Sequence, residues 1–437
     1  MEKFKSKLSG KALPAALLTV FVDAIGVAIL IPIYTLLVTP GPQQVIPSTW
    51  SLSSGFIMVG WLTGVYSLAT FLAAPILGQL SDRFGRKPVL AISLAGTAVG
   101  YALFAVGILT KNIPLLFASR IMDGVTGGNI AVARAVIADI STPKTRTRNF
   151  GLVGAMFGLG FVLGPYLGGK LAFGGAPFFN IFGHSLLTTP SLFNAATPFW
   201  FAAILAVINT LLALFVLPET IKQKIHSKMN VTQAFTNIKK AFTIKGVRNI
   251  MPVVFLYSGG FAFFTTFFGF NLIDRIPGFK PNNVADFFSF IGICIVIVQA
   301  LITPFLAKRL KNYQIVRFSL FGLAAAFLVL FIPHTTSMLY ATGWLIPLFV
   351  GLTMANIIAL VSSVAGPKIQ GEVMGINSSV EALAQGIPAV MSGYIASVSV
   401  GLPIIVGSVL VTIAGILFWV LIKPKDLHAH QQTVASH

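Results

Sequence analysis

The sequence predicts an all-α membrane protein whose chain crosses the bilayer twelve times. Three observations carry that prediction. Hydrophobic residues make up 56% of the 437 residues and charged residues only 9%, against about 25% charged in ordinary soluble domains. The mean hydropathy is +0.88. The apolar residues also fall into repeated runs of about 20, the length a helix needs to cross a hydrocarbon core about 30 Å thick. The short alternating segments that mark a membrane β-barrel are not seen.

In order, the spans are expected at 12–38, 54–80, 88–110, 113–139, 150–173, 198–217, 250–272, 286–307, 315–333, 338–364, 374–399 and 401–422. The first is too long for the core of a signal peptide and carries Asp23 mid-run, so it reads as a retained helix. Cys294 is the single cysteine, which leaves no intrachain disulfide to form. The net charge of +19 does not point to nucleic acid, because of where the charge falls. With both termini cytoplasmic, 24 of the 30 Lys and Arg lie in inner segments, and only Lys111, Lys170, Arg275 and Lys280 lie outside. That asymmetry is the positive-inside rule.

The longest inner connection divides the spans six and six: an N-terminal bundle over 1–217, a linker over 218–249, and a C-terminal bundle over 250–437 ending in a short cytoplasmic tail. From Val231 to Phe242 the linker is amphipathic and basic, as expected of a helix lying at the membrane surface. The outer loop at 174–197, with Phe178, Phe179, Phe182 and His184, reads as an interfacial aromatic cap. A faint repeat, GLVGAMFGLGFVLGPYLGGKL (151–171) against VMGINSSVEALAQGIPAVMSGYI (373–395), sets Pro165 and Pro388 in register and supports the six-plus-six division.

Between spans 2 and 3 stands GQLSDRFGRKPVL (78–90), one acid and three bases in a chain otherwise poor in charge. Gly78 permits tight packing at a helix end and Gly85 a sharp turn. Asp82 and Arg86 are spaced to pair with each other or with neighbouring helix ends, and a carboxylate there suits a helix N-terminus.

This stretch resembles the signature loop G-x-L-x-D-R-x-G-R-K of the major facilitator superfamily. Asp23-Ala-Ile-Gly26 through Pro32 in span 1, Arg120-Ile-Met-Asp-Gly124 in span 4 and Gly160-x-x-x-Gly164-Pro165-x-x-Gly168-Gly169 in span 5 are similar to motifs of its twelve-span drug:proton antiporter branch, which includes tetracycline and multidrug exporters. In the second half ITPFLAKRLKNYQ (302–314) lacks the acid and glycines of the loop motif. The resemblance implies two six-helix bundles that rock about a central site, driven by the proton gradient without a cofactor or metal. It also implies a cytoplasmic latch built from Gly78, Asp82, Arg83, Gly85, Arg86 and Asp139. In that latch Asp82 faces the start of span 11 near Gly375, and Arg86 pairs with Asp139.

Of the eleven acids, only Asp23, Asp123 and Glu381 lie well inside apolar spans. On insertion scales each costs about 2.5–3.5 kcal/mol at the bilayer centre, so each is functional or paired by default. At 1.5 Å per residue, Asp23 sits about 16 Å into span 1 and Asp123 about 15 Å into span 4 from the opposite side. Low dielectric favours a neutral carboxyl and a nearby guanidinium the charged one, so Asp23 is the expected proton carrier and Arg120 its modulator. Asp123 stands where the branch usually has glutamine. It reads either as a second proton site or as a local counter-ion that neutralises Arg120. Arg134 is expected to pair near Asp139.

Glu381, with Asn377 one turn before and Gln385 one turn on, forms a polar stripe facing either the substrate cavity or a neighbouring helix. Span 7 (FLYSGGFAFFTTFFGF, 255–270) sets Tyr257 and several phenylalanines around Thr265 and Thr266. Tyr257, with Tyr340 and Trp344 of span 10, would line a cavity for a flat lipophilic molecule; lipid-facing rings are the plain alternative.

The expectation is a monomeric transporter of a prokaryotic inner membrane that exports small amphipathic molecules against protons and binds no nucleic acid. A dedicated metabolite or siderophore exporter, and an uptake symporter, remain open on the same fold. A non-transporting sensor or scaffold would sacrifice the membrane carboxylates seen here. An ATP-driven pump would need a G-x-x-x-x-G-K-[ST] loop, which is absent from the sequence, and an enzyme would need a nucleophile–base pair or metal cluster, which the scattered histidines do not supply.

Overall fold

A computed structural model describes residues 2–175, 177–181, 184–221, 230–244, 246–364 and 366–422. The linker bases Lys222, Lys224 and Lys228, the tail with Lys423 and Lys425, and the side chains of Phe178, Phe179, Phe182 and His184 lie outside what is described.

The helices are α1 (Glu2–Ala28), α2 (Leu30–Val38), α3 (Leu52–Phe84), α4 (Arg86–Leu109), α5 (Ile113–Thr126), α6 (Asn129–Ile140), α7 (Pro143–Leu171), α8 (Thr197–Phe215), α9 (Gln233–Thr243), α10 (Val247–Arg275), α11 (Pro281–Ile297), α12 (Thr303–Ala307), α13 (Asn312–Val329), α14 (Thr336–Gly343), α15 (Leu345–Val364), α16 (Gly366–Val398) and α17 (Leu402–Leu421). Among the described residues, eleven segments are long and apolar enough to cross a membrane. The twelfth is α16, 33 residues long, whose Asn377, Glu381 and Gln385 dilute an apolar run that its length would otherwise qualify.

Prolines explain why some spans are built from two helices. A proline ring clashes with the carbonyl four residues before it. Pro32 therefore ends α1 at Ala28, and Pro347 ends α14 at Gly343. Pro304 has no N–H to donate, and the turn before it widens to a π-helical segment over Val298–Ile302. The outer loop holds one addition to the helical plan, an antiparallel hairpin of β1 (Pro177–Ile181) and β2 (His184–Thr188).

Aromatic packing dominates the interior. One buried cluster draws on residues 241–422 together with Val162 of α7 and stacks Phe264 on Phe327 at 4.3 Å. A second, mostly from residues 25–206, sets Phe104 against Phe199 at 4.4 Å. A third gathers residues 12–217 near the α3–α4 turn.

The two ends of the molecule differ. At the hairpin end the helices close tightly. A Cβ on Gly60 of α3 would lie 2.7 Å from the Ala389 carbonyl oxygen of α16, and one on Gly393 would lie 2.8 Å from that of Phe56. Phe56 wedges its ring against Phe267 and Phe270 of α10. Trp61 donates to the Tyr394 hydroxyl at 3.1 Å, and Lys170 of α7 pairs with Asp286 of α11 at 2.6 Å. At the Gly85 end the same seams part: a Cβ on Gly78 of α3, Gly151 or Gly154 of α7, or Gly375 of α16 would meet nothing within 4 Å.

The linker helix α9 crosses this parted end. Its buried face is Ala234, Asn237 and Ala241. Phe235 meets Phe71 of α3 edge-on at 5.6 Å, and the Asn230 amide donates to Gln79 at 2.7 Å. On the other side Asn237 donates to Ser379 at 3.0 Å and Lys240 pairs with Glu372. The amphipathic pattern therefore marks a bridge between helices as well as a face turned outward.

Candidate functional site

Three helices assemble the first buried charge cluster. Asp23 of α1 is 3% exposed, and Asn129, the first residue of α6, donates to its Oδ1 at 3.4 Å. Its other oxygen, Oδ2, has no partner. Arg120 and Asp123 lie one turn apart on α5, both buried, with Nη2 3.1 Å from Oδ2. That contact is off the line of a hydrogen bond, so it is Coulombic. The guanidinium also lies over the Phe104 ring at 4.6 Å and the Tyr66 ring at 5.7 Å, a second source of stabilisation for a desolvated cation.

Arg120 is thus held by Asp123 rather than by Asp23. Among the described residues no ion pair joins Asp23 to Arg120, and of the two readings of Asp123 the local counter-ion is the one this contact matches. Asp23 instead lies within electrostatic reach of Asp123, and Tyr66 and Tyr101 lie within reach of both acids. Tyr101 presses its hydroxyl onto α1 where a Cβ on Gly26 would sit.

The glycine motif of span 5 sets where Asp23 stands. A Cβ on Gly160 would be 2.6 Å from the Phe21 carbonyl oxygen, and one on Gly164 would be 2.8 Å from that of Ile25. Gly168 faces Ile29 and Pro32 in the same way, and Gly169 abuts Ala285 of α11. With Pro165 inside the helix, these residues let α7 lie backbone to backbone along α1.

At the α3–α4 turn Gly85 adopts φ +114°, a region open to glycine at little cost. Arg86, 7% exposed, pairs with Asp82 at 2.6 Å and with Asp139 at 3.0 Å, and donates to Ser81. Asp82 pairs inside its own loop; among the described residues no hydrogen bond or ion pair joins it to α16, and the approach to Gly375 is not made. The parting of the α3–α16 seam at this end accounts for that. Arg83 is exposed, with its guanidinium 5.5 Å from the Phe84 ring centroid. Glu219 completes the turn: its carboxylate accepts from the amides of Arg86 and Lys87 at the start of α4, where a helix N-terminus favours an anion. Sequence reasoning passed over Glu219, although Leu217-Pro-Glu-Thr220 stops span 6 in plain sight.

The second charge cluster spans α6 and α16. Arg134 donates to Ser378, 244 residues away, and lies within electrostatic reach of Glu381. The expected pairing near Asp139 is absent, since Asp139 is held by Arg86 and Thr220. Asn377 is 2% exposed and lies within reach of Glu381, and among the described residues its Oδ1 has no partner. Tyr257 of α10 lies beside Glu381, and Gln385 is exposed one turn on.

Above Tyr257, Phe261 continues a row of rings with Phe161 of α7 at 6.0 Å. Together with Phe264, Thr265 and Phe288 these bound a cavity of about 20 Å³, room for about one water. Tyr340 and Trp344 do not join it. Tyr340 packs edge-on against Phe287 and Phe290, and Trp344, 47% exposed, points outward at the proline-induced break.

Residues 16–389 match the Major Facilitator Superfamily. Over 425 residues the chain is 31% identical to the class C tetracycline resistance protein of Escherichia coli, spanning 92% of this chain and 95% of that one. Among solved structures, the human organic anion transporter MFSD10 (TETRAN) superposes with a TM-score of 0.70 at 22% identity, covering 94% of this chain and 99% of that one. A D-xylose–proton symporter gives 0.72 at 16% identity, covering 95% and 98%. These two likenesses concern the fold. The sequence match runs through nearly the whole membrane part, and with it the chain belongs to the Major Facilitator Superfamily, a family of integral membrane transporters.

Proposed function

We propose that the protein exports small amphipathic molecules in exchange for protons, as a secondary active transporter working by alternating access. The observation that carries this reading is Asp23: a buried carboxylate with one oxygen unpartnered, on a helix clasped by the glycine stripe of α7. Static glue would use both oxygens; a carrier needs one free to take a proton. Likeness to a tetracycline resistance protein over almost the full chain supports export of a drug-like molecule.

On this reading both termini and the Gly85 turn face the cytoplasm of a prokaryotic inner membrane. The closed hairpin end is then the outer side, and the conformation is inward-facing. Helices α1–α8 (1–217) and α10–α17 (250–437) form the two rocking bundles, joined by the linker over 218–249. The Asp82–Arg86–Asp139 latch waits for the opposite state, in which α3 and α16 meet at the cytoplasmic end. Arg120 and Asp123 form a counter-charged pair beside Asp23 that changes its field as α1 moves. The proton gradient is the energy source, no cofactor takes part, and a single chain is the working unit.

The test is efflux in a host stripped of its own exporters, with lipophilic dyes and antibiotics and matched expression. Wild type should lower accumulation, a protonophore should abolish the effect, and Asp23→Asn should cut the rate at least about tenfold, a barrier change of about 1.4 kcal/mol. Full activity in Asp23→Asn would remove Asp23 from coupling. The fold of the D-xylose–proton symporter motivates a second reading, proton-coupled uptake. It predicts accumulation inside proteoliposomes with the proton gradient directed inward; proton antiport predicts accumulation only with the gradient directed outward, from an acidic lumen.

A further inference from the structure

We propose that Glu381, Asn377 and Tyr257 form a subsite for a protonated amine, and that Arg134 occupies it as a tethered stand-in while no substrate is bound. The inference rests on the exporter reading above and names the chemical class of its substrate.

The groups around Glu381 point to an amine. Glu381 is an acid on α16, and among the described residues the cation acting on it is Arg134, held on α6 across the parted seam. Asn377, 2% exposed, stands one turn from the carboxylate within its electrostatic reach, and among the described residues its Oδ1 has no partner. A buried acceptor left open is costly unless something donates to it. The site thus offers a charged acceptor and a neutral acceptor side by side, which an ammonium N–H group can satisfy together and a hydroxyl only in part. Beyond them stand aromatic faces, Tyr257 and then Phe261 and Phe161, which suit both a cation and the apolar body behind it.

Arg134 is built to leave. It is only partly buried, its contact in α16 is the Ser378 hydroxyl, and its Nε has no partner. A ligand ammonium that replaces it keeps one positive charge near the half-buried Glu381. The exchange also releases α6 from α16, coupling occupancy to the separation of the two bundles. A carboxylate ligand has no such opening: it would have to sit beside Glu381 with two acceptors already facing it.

The experiment uses purified full-length protein and three ligands sharing one fluorescent ring system: dansylcadaverine, its N-acetyl derivative, and dansyl-6-aminohexanoic acid. They are a cation, a neutral molecule and an anion. Wild type should bind the amine about tenfold more tightly than the acetyl form. Glu381→Gln should erase that preference while still binding the acetyl form, which also reports that the variant is folded. Arg134→Gln should tighten the amine severalfold and leave the acetyl form unchanged. Tightest binding of the carboxylate, or a preference that neither substitution alters, overturns the amine subsite and leaves the exporter reading standing. If none of the three binds wild type, the amphipathic-substrate reading fails and this subsite with it.

Discussion

Arg120 with Asp123 and Arg134 with Glu381 are both arginine–carboxylate arrangements inside apolar helices, yet they tie different things together. The first is sealed in one helix turn of α5, with Arg120 0% exposed and its charge shared with aromatic rings. The second reaches from α6 to α16 through partly exposed groups beside a seam whose glycines at the Gly85 end meet no neighbour. The sealed pair can persist through any motion that keeps α5 intact. The spanning pair cannot survive separation of the two sides. One is fitted to hold a field around Asp23, the other to register whether the bundles touch.

The largest expected effect breaks the sealed pair. Arg120→Leu leaves Asp123 buried without its cation, a defect worth about 3–5 kcal/mol, and the purified protein should melt at much lower temperature. Adding Asp123→Asn should recover most of the loss, because the stranded charge is gone. Arg134→Gln should cost under about 1 kcal/mol, as partly exposed pairs do. Equal losses for Arg120→Leu and Arg134→Gln would abolish the distinction between the two pairs.

A middle-sized effect sharpens the contrast between the two ends. Ser53 donates to the Ser397 carbonyl at 3.3 Å on the closed side. Cysteines at positions 53 and 397, in a Cys294→Ser background, should therefore cross-link rapidly under mild oxidant. Lys170→Ala removes the Asp286 partner nearby. A pair with one exposed member is worth about 0.2–1 kcal/mol, so cross-linking should slow by roughly fivefold at most. Cross-linking that is slow in the parent would mean the hairpin end spends most of its time apart.

The parts legible in the sequence were those set by local chemistry. Apolar run lengths located most spans to within a few residues, although α16 begins at Gly366 where 374 was expected, and the Gly85 turn with the Arg86–Asp139 pair lies where its motif put it. Pairings over long separations were not legible. Arg134 looked as if it belonged to Asp139, five residues on, but Arg86 from another helix had already taken that acid. Lys170 stood only among the outer bases and Asp286 drew no reading, and only the crossing of α7 and α11 makes them partners. Arg120 shows the reverse case. The sequence left it between Asp23 on another helix and the i+3 acid Asp123, and only the contact shows which of them is in reach. Tyr340 and Trp344 show a third limit: aromatic character does not tell which way a ring turns, so the cavity and lipid-facing readings stood side by side, and Pro347 breaks their helix just where that is decided.

The smallest predicted effect concerns α9, which touches both sides of the parted end. Its hold on α16 uses Asn237, Lys240 and the buried Ala241; its hold on α3 uses the Phe71–Phe235 edge contact and Gln79 with Asn230. Rocking must loosen one of these sets, and the α3 side is the weaker, because Phe235 remains 61% exposed and an exposed ring gains less than the about 0.5–1.5 kcal/mol of a buried aromatic pair. Phe235→Ala should leave the melting temperature nearly unchanged. Maleimide labelling of a cysteine placed at Gly375, in the Cys294→Ser background, should rise by less than about tenfold, the factor that 1.4 kcal/mol sets. Labelling that falls instead would mean Phe235 props the two sides apart, and α9 would then be a spacer between the bundles where the contacts describe a clasp.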